Sequence, residues 1–238
     1  MIVLGVESSA VVASAAVLKD GKVIGEKFLN SGLTHSVTLL PMIKEVLDDC
    51  DVSVCDVDVF AVSAGPGSFT GLRIGAATVK GLCQNDARCI GVSTLLSMAY
   101  DRLDFDGVVC ACMDARCSQV YNALFEIKDE TPHRLCDDRA LMIDELVDEL
   151  KKIKQNILLV GDGALLCYNS IKETCPELLK RVFVKESDER FQRASGVCLA
   201  SFNAMLGGEK PLLPKELKLN YLRLPQAERE LLKKENKK

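Results

Sequence analysis

The sequence predicts an α/β fold made of two similar halves. Three observations carry that expectation. Apolar runs of strand length alternate with segments of helical periodicity. The order strand, strand, strand, helix, strand, helix occurs twice, with no repeated sequence period. The pattern restarts after a short polar interruption at residues 103–107 (LDFDG), which divides the chain into 1–103 and 104–238.

The elements follow in order. Residues 2–6 (IVLGV) are a short apolar run, read as a buried strand, and 11–18 (VVASAAVL) read as a second. Asp20-Gly21 is a strong hairpin turn signal leading into a third strand at 22–29. Thr34 or Ser36 is placed to cap a helix over 35–50, in which Leu39, Leu40, Ile43, Val46 and Leu47 recur at helical spacing. Pro41 falls inside it and is tolerated there in a first turn or at a kink. A strand at 57–62 runs into a Gly/Pro/Ser segment, then a helix over 70–84, a short run at 88–92 and a helix over 93–102. The second half opens with strands at 107–113 and 118–127, with a third expected at 131–136. An amphipathic helix covers 140–153, a strand covers 156–160, and helices follow at 163–174 and 193–206. The last twelve residues (AERELLKKENKK) read as a solvated tail.

Bulk properties narrow the function. The 238 residues are 48% hydrophobic and 27% charged, with net charge −4 and pI about 5.4. Autonomous binding to a polyanion usually needs a basic face, so the average charge argues against it. The start (MIVLGVESSA) has no basic segment, and Glu7 interrupts its apolar run, unlike a signal peptide. No stretch approaches the roughly 20 apolar residues of a bilayer span. A soluble, cytoplasmic protein is the expectation. The eleven cysteines include no Cys-x-x-Cys, and His35 and His133 are the only histidines, so a zinc site is not indicated. Most cysteines sit in apolar runs, as buried small hydrophobes do.

Residues 61–75 (AVSAGPGSFTGLRIG) are the most informative stretch. A strand runs into Gly65-Pro66-Gly67, and Ser68 or Thr70 is placed near the cap of the next helix. Backbone N–H groups at such a helix start can hold an anion; a sharp strand-to-helix turn explains the same residues. A Walker loop is excluded, because Lys-Ser/Thr is missing where Phe69 and Leu72 stand. Within the helix, Gly71 and Gly75 share a face, at about 1 kcal/mol each relative to alanine. That face suits close packing on the chain's own sheet or contact with a partner, and spacing does not separate the two. On the second reading, Gly75→Leu would leave the monomer folded and weaken partner binding. Glu7-Ser8-Ser9 ends the first strand, Asp114-Ala115-Arg116 sits at the like place in the second half, and Gly161-Asp162-Gly163 ends another strand. No nucleophile–base pair, metalloprotease motif or G-x-S-x-G elbow is present.

The run Gly65-Pro66-Gly67-Ser68-Phe69-Thr70-Gly71-Leu72-Arg73-Ile74-Gly75 resembles the hallmark of the TsaB (YeaZ) family. Further pieces match in order: His35-Ser36 with Leu40-Pro41-Met42-Ile43, Gly91-Val92-Ser93-Thr94-Leu95, Met113-Asp114-Ala115-Arg116 before Val120-Tyr121, and Tyr221-Leu222-Arg223 before Gln226-Ala227-Glu228. The resemblance implies two ribonuclease H-like domains of the actin/hsp70/sugar-kinase type. It implies a non-catalytic subunit of the machinery that forms N6-threonylcarbamoyladenosine at position 37 of tRNAs reading codons that begin with A. The implied partners are a TsaD-like catalytic paralogue and a TsaE-like small ATPase, with tRNA met only through the complex and a weak homodimer in isolation. The paralogue holds a metal through His-x-x-x-His, where this chain has Ser93-Thr94-Leu95-Leu96-Ser97; no metal and no cofactor are therefore expected. Glu7-Ser8-Ser9 departs from the family's usual Asp-Thr-Ser, toward the catalytic paralogue. By this resemblance, partner contact falls to the two helices of the N-terminal domain, with His35, Leu39, Met42, Ile43, Val46, Thr70, Gly71, Ile74, Gly75 and Thr78 as candidates. A vestigial nucleotide or anion site would use Glu7, Ser8, Ser9, Gly65, Gly67, Ser68, Asp114, Arg116, Gly161 and Gly163. The alternative function is an independent nucleotide-binding ATPase or phosphotransferase of the same superfamily.

Overall fold

A computed structural model of the chain describes residues 1–32, 34–83, 87–185 and 187–223. The charged tail and the Gln226-Ala227-Glu228 piece lie outside the described residues. In chain order the elements are β1 (Ile2–Glu7), β2 (Ala13–Lys19), β3 (Lys22–Leu29), α1 (His35–Asp49), β4 (Val59–Gly65), α2 (Phe69–Leu82), β5 (Arg88–Ser93) and α3 (Thr94–Tyr100). There follow β6 (Val108–Arg116), β7 (Gln119–Lys128), β8 (Thr131–Arg134), β9 (Arg139–Met142), α4 (Ile143–Leu150), β10 (Ile157–Val160), α5 (Ala164–Thr174), β11 (Val182–Val184) and α6 (Ala194–Leu206).

The strands form two sheets, ordered β3-β2-β1-β4-β5 and β11-β10-β6-β7-β8, with β9 added alongside β7. In each, an antiparallel pair is followed by parallel strands: β1 pairs β2 antiparallel and β4 parallel, while β6 pairs β7 antiparallel and β10 parallel. The Asp20-Gly21 hairpin forms as expected. Both residues take positive φ (51° and 83°), and Lys19 lies opposite Lys22, the two-residue turn whose twist suits adjoining strands.

Both faces of both sheets are covered, so their central strands are apolar at nearly every position. Leu4 and Val6 of β1 face α1 and α2, in a core with Phe60 and Val62 of β4. Val3 points the other way, into a core with Ala194, Val197 and Cys198 of α6. Gly5 is required there: a β-carbon on it would lie 2.5 Å from Cys198 Sγ and 2.7 Å from the Ala194 carbonyl oxygen. In the second sheet, Val108 and Cys110 face α4 and α5. Val109 and Ala111 face Leu95, Met98 and Ala99 of α3. Thus α3, from the first half in sequence, packs on the second sheet, and α6 returns to pack on the first. The two helices also pack on each other. The halves are interlocked by this exchange.

Four local differences from the sequence reading have physical causes. β9 and β11 were not expected; they are four and three residues long, too short to show a period. β9 occupies residues placed at the start of the 140–153 helix, which begins at Ile143 after the Glu145 carboxylate accepts a hydrogen bond from the Met142 N–H at 2.9 Å. The third strand of this half ends at Arg134 rather than 136. Pro41 sits mid-helix in α1, beyond the first turn, on the water-facing side. Val37, whose carbonyl loses its helical partner to the proline, is itself 67% exposed, so that carbonyl is not stranded in the core.

Among the described residues no helix is long and apolar enough to cross a membrane. Six of the eleven cysteines are buried, Cys55 and Cys117 are exposed, and all are free thiols. No group of three or more His, Cys, Asp or Glu side chains among the described residues is placed to hold a metal.

A candidate functional cleft between the two sheets

The carboxyl ends of the central strands of both sheets open on a shared cleft of about 330 Å³, the place where ligands bind in open α/β folds. Ser9, Ala10 and Val11 enter it after β1, and Gly67 to Thr70 from the β4–α2 turn. Met113 to Arg116 line it from the end of β6, Tyr121 from β7, and Asp162 from the turn before α5.

The structure gathers the vestigial-site candidates in this region but gives them different jobs. Ser9, Gly67, Ser68, Asp114 and Arg116 line the cleft. Ser68 is also the cap of α2, its Oγ accepting the Gly71 N–H at 3.3 Å. Asp114 accepts the Arg116 N–H at 2.7 Å and pairs with its guanidinium at 3.3 Å. Glu7 is turned away and fully buried. Its Oε1 accepts the Ser9 N–H at 2.6 Å and the Ser9 hydroxyl, and its Oε2 accepts the Ser63 hydroxyl. Burial pushes this carboxyl above the usual range, against the pull of the Ser63 and Ser9 donors. Ser8 donates to the Gly71 carbonyl at 3.0 Å. Gly65, Gly161 and Gly163 do not line the cleft; they let backbones meet. A β-carbon on Gly65 would lie 2.1 Å from the Asn220 carbonyl oxygen, and one on Gly161 2.1 Å from that of Cys112.

The partner-contact candidates divide as well. Leu39, Met42, Ile43 and Val46 are buried in the chain's own core, because the helical stripe that sequence reveals is the stripe facing the sheet. Gly71 and Gly75 are also inward: β-carbons there would lie 2.0 Å from the Ser8 carbonyl oxygen and 2.5 Å from Ser8 Oγ. The small-residue face therefore packs on Ser8, just beyond β1, and on Val62 of β4, and all six residues are buried within the chain itself. Thr70 is exposed, and His35, Ile74 and Thr78 are half-buried; His35 Nε2 lies 2.7 Å from the Ala10 carbonyl oxygen. The outward apolar side chains of α1 are Val37 and Leu40. Beside them Leu40, Pro41, Leu47, Val52, Val54 and Leu82 line a shallow groove of about 600 Å³.

Three residues around the cleft escaped the site reading. Asp162 stands between the candidate glycines Gly161 and Gly163; burial raises its carboxyl above the usual range, opposed by Gln192, whose Nε2 donates to it at 3.0 Å. Tyr221 and Arg223 reach the cleft from the far end of the chain. Tyr221 stacks on Phe69 at 4.1 Å between ring centres, and Arg223 donates to the Ala115 carbonyl at 2.5 Å. The sequence signal for them was the Tyr-Leu-Arg piece of the family pattern.

The segment Ser93–Ser97, where catalytic relatives are expected to carry a histidine pair, offers three hydroxyls: those of Ser93 and Ser97 are spent on local structure, and Thr94 Oγ1 is buried without a hydrogen-bond partner. Ser93 caps α3 by accepting the Leu96 N–H at 3.2 Å and donates to Asp138 at 2.5 Å. Ser97 donates to the Thr94 carbonyl at 2.8 Å, and both are fully buried. Neutral hydroxyls without an imidazole, thiolate or carboxylate among them do not fit a metal ion in place of a histidine pair.

Two sheets of like topology, each with flanking helices and meeting at a cleft at their strand ends, define the actin/hsp70/sugar-kinase class of fold. The solved structure of YeaZ from Pseudomonas aeruginosa superposes with a TM-score of 0.74 at 24% identity, over 93% of this chain and 99% of that one. An activator of 2-hydroxyisocaproyl-CoA dehydratase from Clostridium difficile, solved with bound ADPNP, shares the fold at a TM-score of 0.51 and 10% identity, over 87% and 95% of the two chains. Residues 30–197 match the family model described as TsaD, tRNA N6-adenosine threonylcarbamoyltransferase. The tRNA threonylcarbamoyladenosine biosynthesis protein TsaB of Bacillus subtilis is 30% identical over 230 residues, covering 96% of each chain. The chain belongs to the TsaB family.

Proposed function

We propose that the chain is the non-catalytic subunit of the complex that forms N6-threonylcarbamoyladenosine at position 37 of tRNAs reading codons that begin with A. It binds a TsaD-like catalytic paralogue and stabilises it. The observation that carries this reading is the inward commitment of Glu7. The one carboxylate at the first strand's end is fully buried and accepts hydrogen bonds from Ser9 and Ser63, so it has no free oxygen for a ligand in the cleft. Asp114 is likewise engaged by Arg116. Family membership supplies the pathway, and the Ser93–Ser97 hydroxyls supply no substitute for metal ligands.

A subunit of this kind acts by differential binding: it shifts its partner toward the competent conformation to the extent that it binds that conformation more tightly. The transferred group and the tRNA are handled by the partner, and a TsaE-like ATPase joins the same complex. The outward side of α1 and α2, with Val37, Leu40 and the adjoining apolar groove, is the contact surface on this reading. An apolar surface of this kind is also what a weak homodimer would cover.

The test is capture of the cognate TsaD-like protein by this chain, coupled to threonylcarbamoyl transfer to tRNA. Binding with a requirement for this chain, and no transfer by it alone, is the expected result. ATP turnover by the isolated chain that Glu7→Ala abolishes would instead establish the independent ATPase reading. For the surface, Leu40→Arg is expected to weaken capture at least tenfold, as loss of an interface anchor does. Its unfolding free energy is expected to stay within about 0.5 kcal/mol of the parent, as for an exposed position. Unchanged capture would move the interface elsewhere.

A further inference from the structure

After α6 the chain stays on the first half. Leu212 pairs with Cys89 of β5 through two backbone hydrogen bonds, at 2.9 and 2.7 Å. Leu217 is buried in the core beneath α1 and α2, and its carbonyl accepts from Lys80 Nζ at 3.3 Å. The Asn220 N–H donates to the Ala64 carbonyl at 2.7 Å, in the close approach that Gly65 permits. Tyr221 then lies flat on Phe69, the rings 2° from parallel. Arg73 Nε donates to the Tyr221 hydroxyl at 3.2 Å, and its guanidinium lies 5.6 and 5.8 Å from the two ring centres. Two residues on, Arg223 crosses to the other half and binds the Ala115 carbonyl.

Phe69 and Ala115 both line the cleft, on opposite walls. We propose that residues 217–223 are a strap across the cleft mouth, which holds the two walls at a fixed separation. Its two ends are unequal. The first-half end is anchored by a buried leucine, a backbone hydrogen bond and an aromatic stack under a cation. The second-half end is gripped by one charged donor on one backbone carbonyl, just before the turn Arg116–Ser118, whose three residues all hold positive φ. Letting go of that one contact releases the second wall from the strap, which stays seated on the first. Here the chain's own segment 217–223 bridges the two walls. The strap does not depend on the chain's role in any complex.

The test is hydrogen exchange of the full-length chain, read peptide by peptide. Arg223→Ala removes a charge-assisted hydrogen bond. It is expected to speed exchange about tenfold or more in both walls, at 67–71 and at 113–118. Peptides from α4 and α5, away from the cleft, are expected to keep the parent rates. Tyr221→Ala, which loosens the anchored end, is expected to give the same two-wall pattern. Faster exchange confined to 113–118 would show that Arg223 only braces the β6–β7 turn, and would overturn the proposal. So would uniform acceleration that includes α4 and α5, which would mean a general loss of stability rather than an opened cleft.

Discussion

Replacing Gly75 with leucine is expected to destabilise the isolated chain severely, before any partner is added. A β-carbon at 75 would lie 2.5 Å from Ser8 Oγ and 3.2 Å from Val62 Cγ2, and a leucine adds three more carbons in the same direction. Overpacking a tight core typically costs about 1–3 kcal/mol, occasionally more. Here the neighbours are Ser8, just beyond β1, and Val62 of β4, in a sheet that is covered on both faces and has nowhere to retreat. A graded pair makes the cause visible. Gly75→Ala meets the Ser8 hydroxyl, which turns away only by giving up its bond to the Gly71 carbonyl; about 1 kcal/mol of helix propensity offsets part of that, so it is expected to cost less than Gly75→Leu. Gly71→Ala meets the Ser8 backbone carbonyl at 2.0 Å and disturbs the hydrogen bond from Ser8 Oγ to Gly71. It is expected to lose about 2 kcal/mol or more despite the same gain in propensity. Urea unfolding of the three isolated variants gives the order. A Gly75→Leu chain with parental stability and impaired partner binding would return the small face of α2 to the interface.

That reversal shows what spacing conveys and what it leaves out. The four-residue interval between Gly71 and Gly75 correctly places both on one side of a helix. It does not say which way that side points, because the partner is Ser8, more than sixty positions earlier in the sequence. The same holds for Leu39, Met42, Ile43 and Val46: their periodicity marks the stripe that is buried, and the free surface falls to Val37 and Leu40 between them. Elements with a strong local cause were legible. The Asp20-Gly21 hairpin, the apolar β1 and β6 runs and the Ser68 cap each depend on neighbours close in sequence. The crossing of α3 and α6, the short β9 and β11, and the meeting of Arg223 with Ala115 depend on pairings far apart in the chain. The cleft was half legible: Ser9, Gly67, Ser68, Asp114 and Arg116 do meet there. The inward turn of Glu7 follows from Ser63 standing on the adjacent strand, which sequence order does not reveal.

Stability is expected to fall as pH rises from about 4 toward neutrality, and Asp101 is one of the groups responsible. This aspartate ends α3 at the junction with α6. Its Oδ1 accepts the Ser195 hydroxyl at 2.7 Å, and its Oδ2 is sealed from solvent without a partner. Burial pushes its carboxyl up from 3.8 to about 7, with Glu26 adding repulsion and Arg102, Arg193 and the Ser195 hydrogen bond opposing. A folded chain therefore keeps this proton up to about pH 7, where the unfolded chain has released it near pH 4. Between those limits the folded state binds more protons, so each rise in pH drains stability. The contribution is fully present below about pH 4 and lost above about 7. The displacement corresponds to at most roughly 4 kcal/mol; relaxation of the junction around the charged form reduces that to an expected loss of about 2 kcal/mol. Glu7 and Asp162, also raised by burial, push in the same direction, so the parent alone does not isolate Asp101. Asp101→Asn does: it keeps the shape and an oxygen for Ser195 but has no proton to lose. Urea unfolding at pH 5 and pH 8 should show the parent losing about 1 kcal/mol more than the variant, the rest of the loss falling below pH 5. The variant should then be the more stable chain at pH 8. Equal losses in the two chains would mean that Asp101 is already ionised at pH 5, its charge balanced by Arg102 and Arg193, and that the α3–α6 junction tolerates a carboxylate.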